Sequence, residues 1–177
     1  MVTQNPNLIS PAAMKAMQST AGSSEPLLSE ILTKVNNAKD KPKKISVLKE
    51  NDSPHLRMVL KAAFDPKIEW ELPKGTPPFM PNEVPIGTEH SMLRSESKKL
   101  WHFIKGADTE TPKINKEKMF LQILEGLHID EANVLLNAKD KILNKKYKGL
   151  SDSVVKEAFG WDDNFTKVEV KGPSYPV

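Results

Sequence analysis

Proline placement is the strongest constraint on what this chain can fold into. The 177 residues include 14 prolines and only 8 glycines. Most of the prolines lie between stretches of helical periodicity or at the first turn of such stretches, where the missing N–H is harmless. Because proline disrupts a helix interior, the pattern predicts short, compact helices joined by long extended connections.

Three helices are predicted in the first third of the chain. The first is capped by Ser24 and has Pro26 in its first turn. The second covers 41–49, and the third starts at Ser53 with Pro54 as its first residue. Their inward-facing residues recur at helical spacing: Leu27, Leu28, Ile31, Leu32, Val35, Ile45, Leu48, Leu56, Val59, Leu60, Ala63 and Phe64.

Residues 67–87 are predicted to form an extended connection. Apolar and charged residues alternate over 67–72, which is typical of a strand-like piece, and the prolines that follow forbid regular structure. Such a loop is long for a compact domain. We therefore expect it to be functional, or to be fixed across the surface by Trp70, Phe79 and Met80.

The helix after this loop carries an aromatic residue with two interpretations. It is predicted to start at Thr88 or Glu89 and to end before Gly106, which suits a left-handed cap. Lysines on its outer face flank Trp101 and His102, and aromatics interleaved with lysines can bind nucleic acid. Helical periodicity favours Trp101 in the core instead. The predicted inward residues are Met92, Leu93, Leu100, Phe103 and Ile104, and the outer lysines are Lys98, Lys99 and Lys105.

Residues 115–161 are predicted to supply most of the core. Asn115 caps one helix, a second covers 129–138, and Ser151 caps a last helix that Gly160 ends. A lysine-rich connector joins the second helix to the last. The predicted core residues are Met119, Phe120, Ile123, Leu124, Ala132, Leu135, Leu136, Val154, Val155, Ala158 and Phe159.

Together these elements predict an all-α fold, a compact bundle of about six to seven short helices with a long Pro-rich extended loop. A polar arm at 1–25 precedes the helical domain at 26–161, and a tail follows at 162–177. We expect both termini to be flexible or ordered by a partner.

Composition and motifs exclude several classes of function. With no cysteine, the chain has no disulfide or thiolate metal site. The first residues do not resemble a signal peptide, and no apolar run is long enough for a membrane span, so we expect a soluble, intracellular protein. No phosphate-binding glycine motif, H-E-x-x-H or glycine-flanked nucleophile occurs. The four histidines show no ligand spacing. We therefore predict no cofactor, no metal, no small-molecule substrate and no enzymatic activity.

Positive charge is clustered although the net charge is only +3. Residues 39–64 carry seven Lys and Arg against three acids, and 139–148 carry five lysines against Asp140 alone. Two such clusters can form one phosphate-facing patch if they meet in space; the alternative is an ordinary solvated surface. Tyr147, between two of these lysines and before Gly149, is a candidate contact or a structural tyrosine.

Two stretches resemble the N-terminal DNA-binding region of phage-type ATP-dependent DNA ligases. One is K-P-K-K-I-S-V-L-K-E-N-D-S-P-H-L-R-M-V-L-K-A-A-F-D-P, at 41–66, followed by Trp70 and P-K-G. The other is F-L-Q-I-L-E-G-L-H-I-D-E-A-N-V-L-L-N-A-K-D-K, at 120–141, followed by G-L-S-D-S-V-V-K-E-A-F-G. The resemblance implies an all-helical region that wraps duplex DNA through backbone contacts. It implies no ligase activity, because the family's catalytic K-x-D-G motif is missing. The second stretch also resembles small proteins of T4-like tailed phages.

Two hypotheses follow. The first is a non-catalytic phage accessory protein that binds double-stranded DNA in the host cytoplasm, without reading bases. The second is a phage virion structural or interaction protein that binds a phage or host protein through its arms and loop. The residues predicted to contact the DNA backbone are Lys41, Lys43, Lys44, Lys49, Arg57, Lys139, Lys141, Lys145, Lys146, Tyr147 and Lys148.

Overall fold

Helices account for the regular structure of this protein. The computed structural model describes residues 26–83 and 90–166, which form eight α-helices and one 3-10 helix, with isolated bridges and no strands. The all-α prediction is confirmed. The short helix Leu143–Lys146 is additional, and the helix predicted after the extended connection is divided into an α-helix and a 3-10 helix. The elements are α1 (Leu28–Asn37), α2 (Lys41–Glu50), α3 (Pro54–Phe64), α4 (Leu93–Glu96), the 3-10 helix (Ser97–Phe103), α5 (Lys113–Gly126), α6 (Ile129–Lys139), α7 (Leu143–Lys146) and α8 (Asp152–Phe159).

Helix α6 lies at the centre of the core. It packs against α1, α3, α4, α5 and α7, while α8 covers α2 and α3 on the other side. Ala132, Val134, Leu135 and Ala138 on α6 are fully buried. Complete burial of one large apolar side chain stabilises the fold by about 1.5–3 kcal/mol, so this helix holds its neighbours in position.

Several helix ends lie where the sequence predicts them. Ser53 accepts a hydrogen bond from the N–H of Leu56 at the start of α3, and Ser151 accepts one from Val154 at the start of α8. Gly160 ends α8 with a φ of +64°, in the left-handed region that glycine adopts without strain.

Two predicted helix starts are wrong. Helix α5 begins at Lys113, and the N–H groups of Asn115 and Lys116 bond to the carbonyl of Pro112, so Asn115 lies inside the helix. Helix α1 begins at Leu28, and Pro26 lies before it. The side-chain carboxylate of Glu30 accepts a hydrogen bond from the N–H of Leu27 at 3.0 Å, and this contact caps the start of the helix. Ser24 falls outside the described residues, as do the arm at 1–25 and positions 167–177 of the predicted tail.

The predicted helix after the loop is a short α-helix that continues as a 3-10 helix. Thr88 and Glu89, its predicted start, lie outside the described residues, and α4 begins at Leu93. In the 3-10 segment the buried residues are Ser97, Leu100 and Phe103, a spacing of three. This spacing turns Trp101 outward. Its side chain is 49% exposed, so the core prediction for Trp101 is wrong.

The extended connection is fixed to the body by backbone pairing and a lysine. Trp70 forms an isolated antiparallel bridge with Ile104, and no longer strand develops from the predicted alternation. Further along, Nζ of Lys139 donates to the carbonyls of Pro73 and Gly75 at 2.7 and 3.0 Å. Trp70 and Phe79 pack against the core as expected. Met80 is 79% exposed and, within the described part of the chain, is held only by its backbone N–H, which donates to Oε1 of Glu125 at 3.3 Å.

Candidate nucleic-acid interface

The two basic clusters meet at Gly149. Its N–H donates to Oδ1 of Asn36 at 3.1 Å, and Nζ of Lys44 donates to the carbonyl of Ala38 at 3.0 Å. A Cβ at residue 149 would lie only 2.4 Å from Cε of Lys44. A side chain at residue 149 would have to displace the end of the Lys44 side chain, so glycine permits this close approach, which joins α2 to the connector after α7.

The surface around this contact carries five lysines. We call it the lysine surface, and it comprises Lys34, Lys44, Lys145, Lys146 and Lys148. All but Lys44 are exposed. Within 26–83 and 90–166, none of the five forms an ion pair with an acidic side chain. The charges of the four exposed lysines are therefore available to an anionic ligand, whereas the amine of Lys44 already donates to the carbonyl of Ala38.

An open depression of about 680 Å³ adjoins the lysine surface between α1 and α6. Lys34 and Lys146 line it together with Glu30 and Asp130, so positive and negative side chains balance there. Tyr147 also lines the depression but is only 8% exposed. Burial raises the pKa of its hydroxyl, which hydrogen-bonds to Thr33. Tyr147 is thus held as part of the core, and the excess positive charge lies outside the depression.

Two of the predicted contact lysines are built into the fold. The side chain of Lys139 is 2% exposed, and its amine binds the extended connection and Asp140. Nζ of Lys141 donates to the carbonyls of Ala62 and Asp65 at 2.6 and 2.9 Å, and burial lowers its pKa. Both amines face protein oxygens, so they are not positioned to neutralise phosphates.

The other predicted contact residues, on α2 and α3, have partners or lie apart from Gly149. Lys41 pairs with Glu157 at 2.7 Å, and Lys43 pairs with Asp40 at 3.6 Å. The guanidinium of Arg57 makes two hydrogen bonds to Asp52, at 2.6 and 2.5 Å, and lies 5.3 Å from the centre of the Phe159 ring. Lys49 is exposed near the far end of α2.

Sequence reasoning missed the buried carboxylate of Glu131. Glu131 is 1% exposed. Its two oxygens accept the N–H of Leu28 at 3.1 Å and that of Leu93 at 3.0 Å, the first residues of α1 and α4. Burial raises its pKa, although both hydrogen bonds act against that shift. One signal was available: Glu131 shares the helical stripe of Leu135 and Ala138.

A second cluster surrounds the exposed Trp101. The indole stacks on the imidazole of His102 with ring centres 3.8 Å apart. Nδ1 of His102 lies 2.7 Å from Oδ2 of the buried Asp108. Oδ1 of Asp108 accepts the N–H groups of Glu110 and Thr111. The contact with His102, followed by those with Thr111, lowers the pKa of Asp108 well below its usual range.

The described part of the chain holds neither a metal-binding cluster nor a membrane-spanning helix. No group of three or more His, Asp or Glu side chains there is arranged to hold a metal ion. None of the helices that the structure describes has the length and apolar character to cross a membrane.

Fold and surface together define a small all-α protein with a basic surface that joins two distant parts of its sequence. Residues 31–145, more than half of the chain, match the model of a family of unknown function (DUF6433), and the chain belongs to that family. No curated protein and no solved structure matches it. The resemblance to ligase DNA-binding regions and to phage proteins therefore stays a prediction.

Proposed function

We propose that the protein is a non-catalytic accessory protein that binds duplex DNA through its phosphate backbone, using the lysine surface. The contact of Lys44 with Gly149 is the observation that carries this proposal, because it merges two basic clusters from separate parts of the sequence. Lysine is a flexible point charge with three donors. Such side chains neutralise phosphates without reading bases.

The proposed contact set differs from the one predicted from sequence. Lys145, Lys146 and Lys148 remain, and Lys34 joins them. Lys44 links the two clusters, but its amine donates to the carbonyl of Ala38, so it is not counted as a phosphate contact. Lys41 and Lys43 stay possible contacts at the edge, since exposed ion pairs contribute little free energy and can exchange for a phosphate. The structural roles of the amines of Lys139 and Lys141 argue against their taking part.

Salt dependence tests the proposal most directly. Neutralising about four phosphates gives a slope of roughly −3.6 in log K against log salt concentration, a loss of about 150-fold between 50 and 200 mM. We would measure fluorescence anisotropy of a labelled random duplex over that range. Affinity that does not change with salt would contradict the proposal.

A matched pair of variants separates local contacts from overall charge. The test variant is Lys145→Gln/Lys146→Gln/Lys148→Gln, and its salt slope should fall in magnitude by about 2.7. The control variant removes the same charge at exposed lysines far along the chain: Lys74, Lys113 and Lys118. Equal losses in both variants would mean that net charge alone attracts DNA, and the lysine surface would be rejected as the site.

A protein-binding role is the second candidate, as in the alternative of a virion or interaction protein. The observation that favours it is the Pro-rich segment at 73–81, which is tied to Lys139 and presents an exposed Met80. Proline-rich extended segments are preformed ligands for aromatic grooves. The test is co-purification of the protein with a partner from its native source. A partner that binds the native protein but not a Met80→Ser variant, together with no DNA binding, would favour this role.

A further inference from the structure

The 3-10 helix at 97–103 is unusually long for its type. Runs of this conformation beyond three or four residues are uncommon because the hydrogen-bond geometry is poor. Here it covers seven residues. Side chains three apart eclipse one another in a 3-10 helix, about 6 Å apart along the axis. Lys98 and Trp101 therefore lie one above the other on the outer side, while Leu100 and Phe103 face the core.

Trp101 is held in a fixed orientation although half of its surface is exposed. One face of the indole is covered by the imidazole of His102, so the exposure comes from the opposite face and the ring edge. His102 is fixed in turn by Asp108, whose carboxylate is held by two backbone N–H groups. A rigid aromatic face binds a planar ligand without the entropy cost of ordering a mobile side chain.

The charge around Trp101 indicates what kind of planar ligand it takes. Lys98 is exposed and forms no ion pair with the residues that the structure describes. Lys99 and Lys105 are also exposed and pair only with Glu96 and Glu69, at 3.0 and 3.2 Å. The Lys105–Glu69 pair is exposed on both sides, and such pairs are weak and can exchange for another anion. The aromatic face is therefore bordered by cations, which suits a ligand that is planar and anionic.

We propose that Trp101 is a stacking platform for an unpaired base of single-stranded nucleic acid, with Lys98 contacting a neighbouring phosphate. Bases within a duplex have both faces covered by their neighbours, so only unstacked bases can use such a platform. The spacing of one 3-10 turn between Lys98 and Trp101 is comparable with that between a base and its own phosphate. This site is separate from the lysine surface, and it does not require the duplex-binding proposal to hold.

The test compares Trp101→Ala and Trp101→Phe with the native protein. The ligands are a labelled 12-residue oligothymidylate, the same strand without bases, and a blunt duplex. We expect Trp101→Ala to weaken binding to the oligothymidylate by roughly 5- to 150-fold, and Trp101→Phe to retain most of it. Binding to the abasic strand and to the duplex should not change. Circular dichroism spectra that match the native protein would show that the variants fold.

A second measurement addresses the lysine. Lys98→Gln should reduce the salt slope for oligothymidylate by about 0.7, since one phosphate contact to a single strand is lost. The inference is overturned if Trp101→Ala binds oligothymidylate like the native protein, if the abasic strand binds equally well, or if no single strand binds at low salt. Base-dependent binding without duplex binding would reject the lysine surface and keep this site.

Discussion

Replacing Glu131 with alanine should destabilise the protein severely, because one carboxylate serves two helix starts. The N–H groups of Leu28 and Leu93 have no partner within their own helices, as is usual for the first turn. Both donate to Glu131, at 3.1 and 3.0 Å. The variant would leave two donors without an acceptor in the interior.

The magnitude follows from the cost of each unsatisfied group. A buried donor without a partner costs about 1–3 kcal/mol, so the two cost about 2–6 kcal/mol. Removing a carboxylate whose own burial is unfavourable offsets part of this. We expect Glu131→Ala to lower the free energy of unfolding by about 2–4 kcal/mol. At this chain length that corresponds to a fall in Tm of roughly 5–15 °C.

Urea denaturation followed by far-UV circular dichroism measures the effect. Glu131→Gln should fall between the native protein and Glu131→Ala, because the amide oxygen accepts one N–H while its NH2 group faces the other. Glu50→Ala, at an exposed position in α2, is the control and should change stability by less than about 0.5 kcal/mol. A loss below about 1 kcal/mol in Glu131→Ala, or a glutamine variant no better than alanine, would refute the reasoning.

Three further predictions concern other parts of the fold. Asp108 has a lowered pKa in the folded state, so it stabilises the protein above its unfolded pKa of about 4 and loses that effect as pH falls. The urea midpoints of the native protein and of Asp108→Asn should therefore differ most at pH 7 and converge in acid. A difference that stays constant with pH would contradict this prediction. Gly149→Ala should lower the free energy of unfolding by about 1–2 kcal/mol, and by less when Lys44 is also replaced by alanine. A double-mutant cycle measured by urea denaturation tests this. Equal losses in both backgrounds would mean that a side chain at residue 149 does not clash with Lys44. Lys141→Ala should lower the free energy of unfolding by about 2 kcal/mol, and Lys145→Ala should lower it by less than about 0.5 kcal/mol. Similar shifts in Tm for the two variants would contradict the assignment of Lys141 to the core and Lys145 to the surface.

Local chemistry made the clearest helix boundaries predictable. A serine followed by proline at 53–54 both caps and pre-sets the first turn, and Gly160 alone suits a left-handed cap. These signals need no knowledge of the rest of the chain. The start of α5 shows their limit. Asn115 is a residue type that favours the cap position, but Pro112, with a non-helical ψ of 144°, occupies that position and its carbonyl accepts the N–H groups of Asn115 and Lys116.

The orientation of Trp101 can be predicted only when the conformation of residues 97–103 is known, and the apolar pattern does not specify that conformation. With 3.6 residues per turn, Trp101 lies beside Leu93 and Ser97 on the buried stripe. With three residues per turn, Trp101 lies off the buried stripe, and Leu100 and Phe103 occupy the inward positions. The change from α to 3-10 follows from tertiary packing of a short element, and no local signal in 93–104 marks it.

The candidate site was predictable as a charge pattern but not as a surface. Clustering located Lys145 and Lys148 correctly on the outside. Charge clustering could not distinguish these exposed lysines from Lys139 or Lys141, because the aliphatic part of a lysine side chain can be buried while its amine reaches distant carbonyls. Those carbonyls, such as that of Ala62, lie 64 to 79 positions earlier in the chain. Only the folded topology brings them together.

The buried amines divide the lysines that the structure describes into two kinetic classes toward acylating reagents. Lys116, like Lys139, has a side chain that is almost wholly covered, and its amine contacts Glu71 and the carbonyl of Asp108. An exposed amine reacts at its own chemical rate, whereas these two must first be released by an opening of the structure. Mass-spectrometric labelling would thus record, from one sample, both the solvent-facing surface and the frequency with which the interior opens.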